Sequence, residues 1–172
     1  MKIYLVTGAA GFIGVNFVKY MLEKYGKDIQ IIVLDKLTYA GNKDSLKDEI
    51  AEGKIEFVKG DIGNKELVEN IFSRYDIDYV VNFAAESHVD RSILGPRVFL
   101  ETNILGTQNL LEVSRDSWII GKDENGYPIY KEGKKYIQIS TDEVYGSLSR
   151  DYSEAKELHL DESVKKGSRG KR

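Results

Sequence analysis

Two carboxylates stand side by side at Asp142-Glu143, directly after Ser140-Thr141. Adjacent carboxyls just past a strand end can meet unlike surroundings, so that one keeps a proton while the other gives it up, and together they can serve as acid and base. The Thr141 hydroxyl beside them can bond a substrate oxygen. The plainer alternative is that Asp142 and Glu143 only open a short helix, where acids are favoured. A second group suits an anion. Gly8-Ala9-Ala10-Gly11-Phe12-Ile13-Gly14 places glycines every third residue. Glycine accepts positive φ and lets a phosphate approach the backbone closely. A helix starting there adds N–H groups and a partial positive charge. Asp35 follows Gly14 by 21 residues, near the ~20 expected of an acid that holds the ribose hydroxyls of a dinucleotide. A carboxylate there would repel a 2′-phosphate, so NAD is expected over NADP. Against this stands the ordinary reading of turn glycines and a satisfied strand-end acid.

Composition narrows the field. The chain has no cysteine and only two histidines, His88 and His159. Disulfides, thiolate metal sites and a cysteine nucleophile are excluded, and a metal site or Ser-His-Asp triad is nearly excluded on supply. No metal is expected. The net charge of −3 offers no basic field for nucleic acid. No apolar run approaches the ~18–20 residues of a membrane span, and Met1 to Val6 runs straight into Gly8, too short for a signal peptide. A cytoplasmic protein with neither membrane nor nucleic-acid partner is expected. At 172 residues and 41% apolar, one domain with a real core is expected.

The elements that must position these residues alternate. Ile3–Val6, Ile29–Leu34, Ile55–Val58, Tyr79–Phe83 and Tyr136–Ile139 are continuous apolar runs and read as strands. Helical spacing follows Gly14 up to Lys24, recurs over Asn42–Ile50 and Lys65–Tyr75, and runs from Pro96, suited to a first turn, to about Trp118. Buried strands alternating with helices predict a doubly wound, parallel α/β sheet. Ligands in such sheets bind beyond the carboxyl ends of the strands, where Asp61 ends the third strand and Phe83-Ala84-Ala85 ends the fourth. Residues 119–135 are expected as a surface insertion, with Lys122 to Lys135 as a loop or small hairpin. The stretch after Val164 carries five basic residues and no apolar one, and residues 149–172 are expected to be an insertion or a disordered basic tail.

Taken together, Thr7–Gly14, Asp35-Lys36-Leu37-Thr38-Tyr39-Ala40-Gly41-Asn42, Ala84-Ala85-Glu86-Ser87-His88-Val89-Asp90-Arg91-Ser92, Glu101-Thr102-Asn103 and Ser140-Thr141-Asp142-Glu143-Val144-Tyr145-Gly146 resemble the dTDP-glucose 4,6-dehydratases, a family of the extended short-chain dehydrogenase/reductase superfamily. The resemblance runs from Met1 to about Leu148. It implies a Rossmann-type NAD-binding domain over residues 1–148, and a lyase of nucleotide-sugar metabolism that converts dTDP-glucose to dTDP-4-keto-6-deoxyglucose. NAD⁺ takes hydride from the sugar C4, the ketone acidifies C5, water leaves across C5 and C6, and the hydride returns to C6. By the same resemblance Asp142 is the acid at the C6 hydroxyl, Glu143 the base at C5, and Thr141 a partner of the C4 hydroxyl. Gly8, Gly11, Phe12, Ile13 and Gly14 would meet the pyrophosphate. Asp35, Lys36, Leu37 and Thr38 would hold the adenosine ribose, and Asp61 and Ile62 the adenine. Phe83, Ala84, Ala85, Ser87 and Thr102 would line the cofactor, with Ser87 and Thr141 also at the nucleotide-sugar substrate. His88 is expected as a structural hydrogen-bonder and Arg91 as the partner of an acid. A homodimer is implied for the full-length parent.

The sequence departs from the family in two ways. The superfamily's Tyr-x-x-x-Lys pair has its letters at Tyr152/Lys156, but the same pattern occurs five times in the chain, and Tyr152 comes only 11 residues after Thr141. The family's substrate domain is also missing. The expectation is therefore the N-terminal cofactor half of a longer enzyme, inactive alone. The alternatives are a UDP-sugar dehydratase or epimerase of the same superfamily, or a NAD-binding module without chemistry.

Overall fold

The computed structural model describes residues 1–145. Its strands in chain order are β1 (Lys2–Thr7), β2 (Ile29–Asp35), β3 (Ile55–Lys59), β4 (Tyr79–Asn82), β5 (Ile119–Lys122), β6 (Pro128–Tyr130) and β7 (Lys135–Gln138). Five of them form one sheet in the order β3-β2-β1-β4-β7, every neighbouring pair parallel. Helices α1 (Phe12–Tyr25), α2 (Lys47–Ala51), α3 (Lys65–Arg74), α4 (Val89–Leu94), α5 (Pro96–Phe99) and α6 (Thr107–Trp118) fill the crossovers. Residues 1–139 form one compact unit, and the described residues 140–145 belong to a second. Within the described part of the second, Asp142–Tyr145 forms a 3-10 turn.

Each central strand is apolar on both sides because both faces are covered. Successive side chains along a strand point to opposite faces. Leu5, Ile32, Leu34 and Val80 thus meet Val68 and Ile71 of α3 and Leu110, Val113 and Trp118 of α6. Val6, Ile31, Val33 and Ile55 face Val18 and Met21 of α1 and Leu46. Full burial of such a side chain contributes about 1.5–3 kcal/mol. The Trp118 indole N–H donates to the Ile77 carbonyl at 2.9 Å, so its polar edge is satisfied inside the core.

Several boundaries differ from the expected ones. The first helix begins at Phe12, so that Gly8 and Gly11 make the turn into it while Gly14 lies within its first turn. Asn42–Ile50 splits into a 3-10 turn over Lys43–Leu46, which the Asn42 side chain caps by accepting from the Asp44 N–H, followed by α2. Residues 89–94, expected as part of a loop, form α4. The run from Pro96 to Trp118 is helical throughout, but Leu100–Gly106 winds as a π-helix. The polar stretch before β7 holds the antiparallel hairpin β5–β6, a separate two-stranded sheet whose first strand starts at Ile119. Among the described residues no helix is long and apolar enough to cross a membrane. Tyr152, Lys156 and the basic stretch lie outside the described residues.

Candidate dinucleotide site

The carboxyl ends of β1, β2, β3 and β4 converge on one groove, because parallel strands present the same end to the same edge. β1 passes into Gly8, which has φ +64°, a conformation L side chains rarely adopt. A Cβ on Gly8 would lie 2.5 Å from the Ala84 nitrogen. Gly14 is equally confined, its hypothetical Cβ 2.6 Å from Ala9 Cα and the Gly8 carbonyl oxygen. Gly8 seats the turn on the end of β4, and Gly14 seats α1 on the turn. Gly11 differs, with only the Gly8 oxygen nearby, at 3.3 Å. Its bare face is where a phosphate can come close. No side chain caps the start of α1, and the first N–H groups of any helix lack intrahelical partners. Phe12 and Ile13 there are exposed, while Gly14 is buried.

Asp35 is buried at the end of β2. Its Oδ2 accepts the Ala10 N–H at 2.8 Å and its Oδ1 the Leu37 N–H at 2.7 Å. The carboxylate therefore ties the glycine turn to the loop after β2 and still has lone pairs for hydroxyls. That loop is tightly wound. Leu37 has φ +57°, uncommon outside glycine and costly for a bulky side chain. The Asn42 N–H bonds the Ala10 carbonyl at 2.9 Å, closing the loop back onto the turn.

Beyond β3, Asp61 accepts the Gly63 N–H at 2.8 Å and pairs with the Lys36 ammonium at 2.6 Å. Burial pushes the Asp61 carboxyl up, but the Lys36 and Gly63 donors outweigh it and hold it below the usual carboxylate value. The hydrogen bond to Asp61 raises Lys36.

Beyond β4, Asn82 organises the strand ends. Its Oδ1 accepts from the Thr7 hydroxyl and the Ala84 N–H, and its Nδ2 donates to Gln138 Oε1 at 2.8 Å. Tyr136, whose hydroxyl lies 3.1 Å from Gln138 Oε1, has its phenol pushed up to about 12 by burial. The loop after β4 is clasped by Asn103, which donates to the Glu86 carbonyl and accepts the Glu86 N–H, both at 2.8 Å. Asn103 sits in the π-helical stretch beside Thr102. The helix comes close here: a Cβ on Gly106 would lie 2.8 Å from Ile62 Cγ1, and Asn109 Nδ2 donates to the Ile62 carbonyl.

The resulting groove is a shallow cavity of about 60 Å³, smaller than the roughly 300–1,000 Å³ usual for a ligand site. Of the residues expected from sequence, Gly8, Asp35, Lys36, Thr38, Asp61, Ile62, Ala84, Ala85 and Thr102 line it. Leu34, Gly60 and Glu86 also line it and were not expected. Nor were Asn82, which no motif marks, and Asn103, which the Glu101-Thr102-Asn103 motif contains but for which it implies no site role. Gly11, Phe12, Ile13, Gly14, Leu37, Phe83 and Ser87 are not among its lining. The Phe83 ring instead packs on Phe17, with centroids 5.2 Å apart. Arg91, expected to pair with an acid, stacks its guanidinium 4.0 Å over the Tyr39 ring, and His88 meets that ring edge-on. Thr141, Asp142 and Glu143 belong to the second unit. There Thr141 and Asp142 are exposed, and Asp142 and Glu143 are the first residues of the 3-10 turn.

A parallel sheet of this order, with a glycine turn feeding a helix and an acid at the end of the second strand, defines a Rossmann-type α/β domain. More narrowly, the chain belongs to the GDP-mannose 4,6 dehydratase family, which matches residues 5–161. A dTDP-glucose 4,6-dehydratase of Xanthomonas campestris pv. campestris is 47% identical over 148 residues, 86% of this chain and 40% of that protein. The chain thus spans about 40% of the length of that curated relative. The crystal structure of DesIV, a dTDP-glucose 4,6-dehydratase from Streptomyces venezuelae determined with NAD bound, matches with a TM-score of 0.71 at 43% identity, covering 87% of this chain and 42% of that one. The UDP-Glc/GlcNAc 4-epimerase of Campylobacter jejuni matches with a TM-score of 0.69 at 28% identity, covering 85% and 39%.

Proposed function

We propose that residues 1–148 bind NAD and form the cofactor-holding part of an enzyme that dehydrates dTDP-glucose to dTDP-4-keto-6-deoxyglucose. One observation carries the cofactor reading: the Asp35 carboxylate lines a groove at the strand ends beside Gly8, anchored by the Ala10 and Leu37 N–H groups. NAD supplies a hydride acceptor that later returns the hydride. The chain's own residues supply the rest. Gly11 and the first N–H groups of α1 take the pyrophosphate, Asp35 accepts from the ribose hydroxyls, and Ala84 and Ala85 leave room for a flat ring. Asp142 protonates the departing C6 hydroxyl, Glu143 removes the C5 proton, and Thr141 and Ser87 hold the sugar.

The greater identity to dTDP-glucose dehydratases than to the epimerase, and the Thr-Asp-Glu triplet, favour dehydration over epimerisation. A homodimer fits the exposed apolar side chains of Leu94, Leu100, Ile104 and Leu105. The test of the chemistry is Asp142→Asn and Glu143→Gln in the enzyme that carries this chain. Acid–base groups typically contribute about 10²–10⁴ in rate, so both variants should lose turnover by that order and accumulate a 4-keto-glucose species. Wild-type turnover in both contradicts the assignment.

A further inference from the structure

The groove holds a cation in the place where a 2′-phosphate would seek one. Lys36 directly follows Asp35, and both line the site. A basic side chain near the adenosine ribose is how such folds take NADP. Yet Lys36 is engaged. Its ammonium lies 2.6 Å from Asp61 Oδ2, and after that hydrogen bond the nearby charges of Asp61, Glu86 and Glu101 also favour its charged form. Asp35, by contrast, is buried and fixed by the Ala10 and Leu37 N–H groups. One acid is held fixed at the end of β2, and a second, beyond the next strand, pairs with Lys36, the cation among the described residues lining the groove.

We propose that Asp61 sets cofactor choice by holding Lys36 away from a ribose 2′-phosphate, so that the preference for NAD rests on the Lys36–Asp61 pair as well as on Asp35. This builds on the NAD reading given above. The Lys36 side chain is about half exposed, and its four-carbon stem is flexible enough to reorient once released. Asp61→Asn removes the charge but keeps an oxygen for the Gly63 N–H, so the turn after β3 retains its hydrogen bond.

The experiment is calorimetric titration of the chain with NAD⁺ and with NADP⁺ at low ionic strength, where charge effects are least screened. It compares wild type, Asp61→Asn, Lys36→Met and the double variant. The readout is the ratio of the two dissociation constants within each protein, which cancels any general loss of affinity. In Asp61→Asn the preference for NAD should fall about tenfold, roughly 1.4 kcal/mol. In Lys36→Met it should not fall, and in the double variant it should return to the wild-type ratio. An unchanged ratio in Asp61→Asn overturns the inference, as does a double variant that keeps the full gain for NADP⁺. Those results leave the NAD reading standing if wild type binds NAD⁺, whereas wild type binding neither nucleotide overturns both.

Discussion

Gly8 and Gly11 occupy the same turn under opposite constraints. Gly8 needs positive φ and has backbone atoms of Ala84 within 2.7 Å of where a Cβ would be. Gly53 has a similar φ of +67° with nothing within 4 Å. Gly53→Ala should therefore cost about 1–2 kcal/mol, the backbone penalty alone. Gly8→Ala adds a clash that only a shift of the β4 end relieves, and should cost about 3 kcal/mol or more. Urea unfolding of the two variants measures the difference. Equal losses would show that the turn yields freely. Gly11→Ala should fold normally and weaken NAD⁺ binding, because its methyl occupies the open face. Sequence spacing exposed Gly8, Gly11 and Gly14 as a group. It could not sort them, since the difference lies in contacts with Ala84 and Ala9 that only the folded chain makes.

The loop after β4 is held by a helix, and the helix is held by a distortion. Asn103 replaces a strand neighbour for Glu86, giving and taking one backbone hydrogen bond. Each such bond is worth about 0.5–1.5 kcal/mol. Asn103→Ala should loosen Ala84–Glu86 and weaken NAD⁺ binding up to about tenfold, with little change in melting temperature because the residue is exposed. Unchanged affinity would show that the loop holds its shape without the clasp. The π-helical turn around Asn103 had no sequence signature. It follows from tertiary packing, where Gly106 and Asn109 press against Ile62. The strands were legible because β-branched runs stop at turn residues, whereas α4 is a six-residue helix too short to show a period.

At the opposite end of the sheet, Asp78 joins β1, β4 and β7. It accepts the Ile3 N–H at 2.9 Å and pairs with Lys2 at 3.0 Å and Lys134 at 3.4 Å. Burial alone would raise its carboxyl, but these donors outweigh burial and lower it. A carboxyl lowered in the folded state contributes stability that is present above its unfolded value and lost as pH falls through the folded one. The chain should thus lose stability below about pH 4. Asp78→Asn should remove part of that acid dependence and cost about 1–3 kcal/mol at neutral pH. Denaturant unfolding at neutral and acid pH checks both. An unchanged acid slope would show that Asp78 contributes none of it.

As a whole, residues 1–139 form a five-stranded Rossmann-type unit whose parallel, doubly wound character could be read from alternating strands and helices, though its strand order could not. The resemblance to the dTDP-glucose dehydratases was also legible, because its motifs lie in continuous stretches. The groove's inner supports were not, because Asn82, Asn103 and the Lys36–Asp61 pair join residues distant in sequence. The catalytic assignment of Thr141, Asp142 and Glu143 rests on the family's triplet. The cofactor assignment rests on the groove, and it is the claim on which the rest depends. Calorimetric titration of the 172-residue chain with NAD⁺ tests it most directly. The account predicts saturable one-to-one binding, at least about tenfold tighter than NADP⁺ and weakened by Gly11→Ala. Heats no larger than dilution, from a chain shown by circular dichroism to be folded, would contradict it.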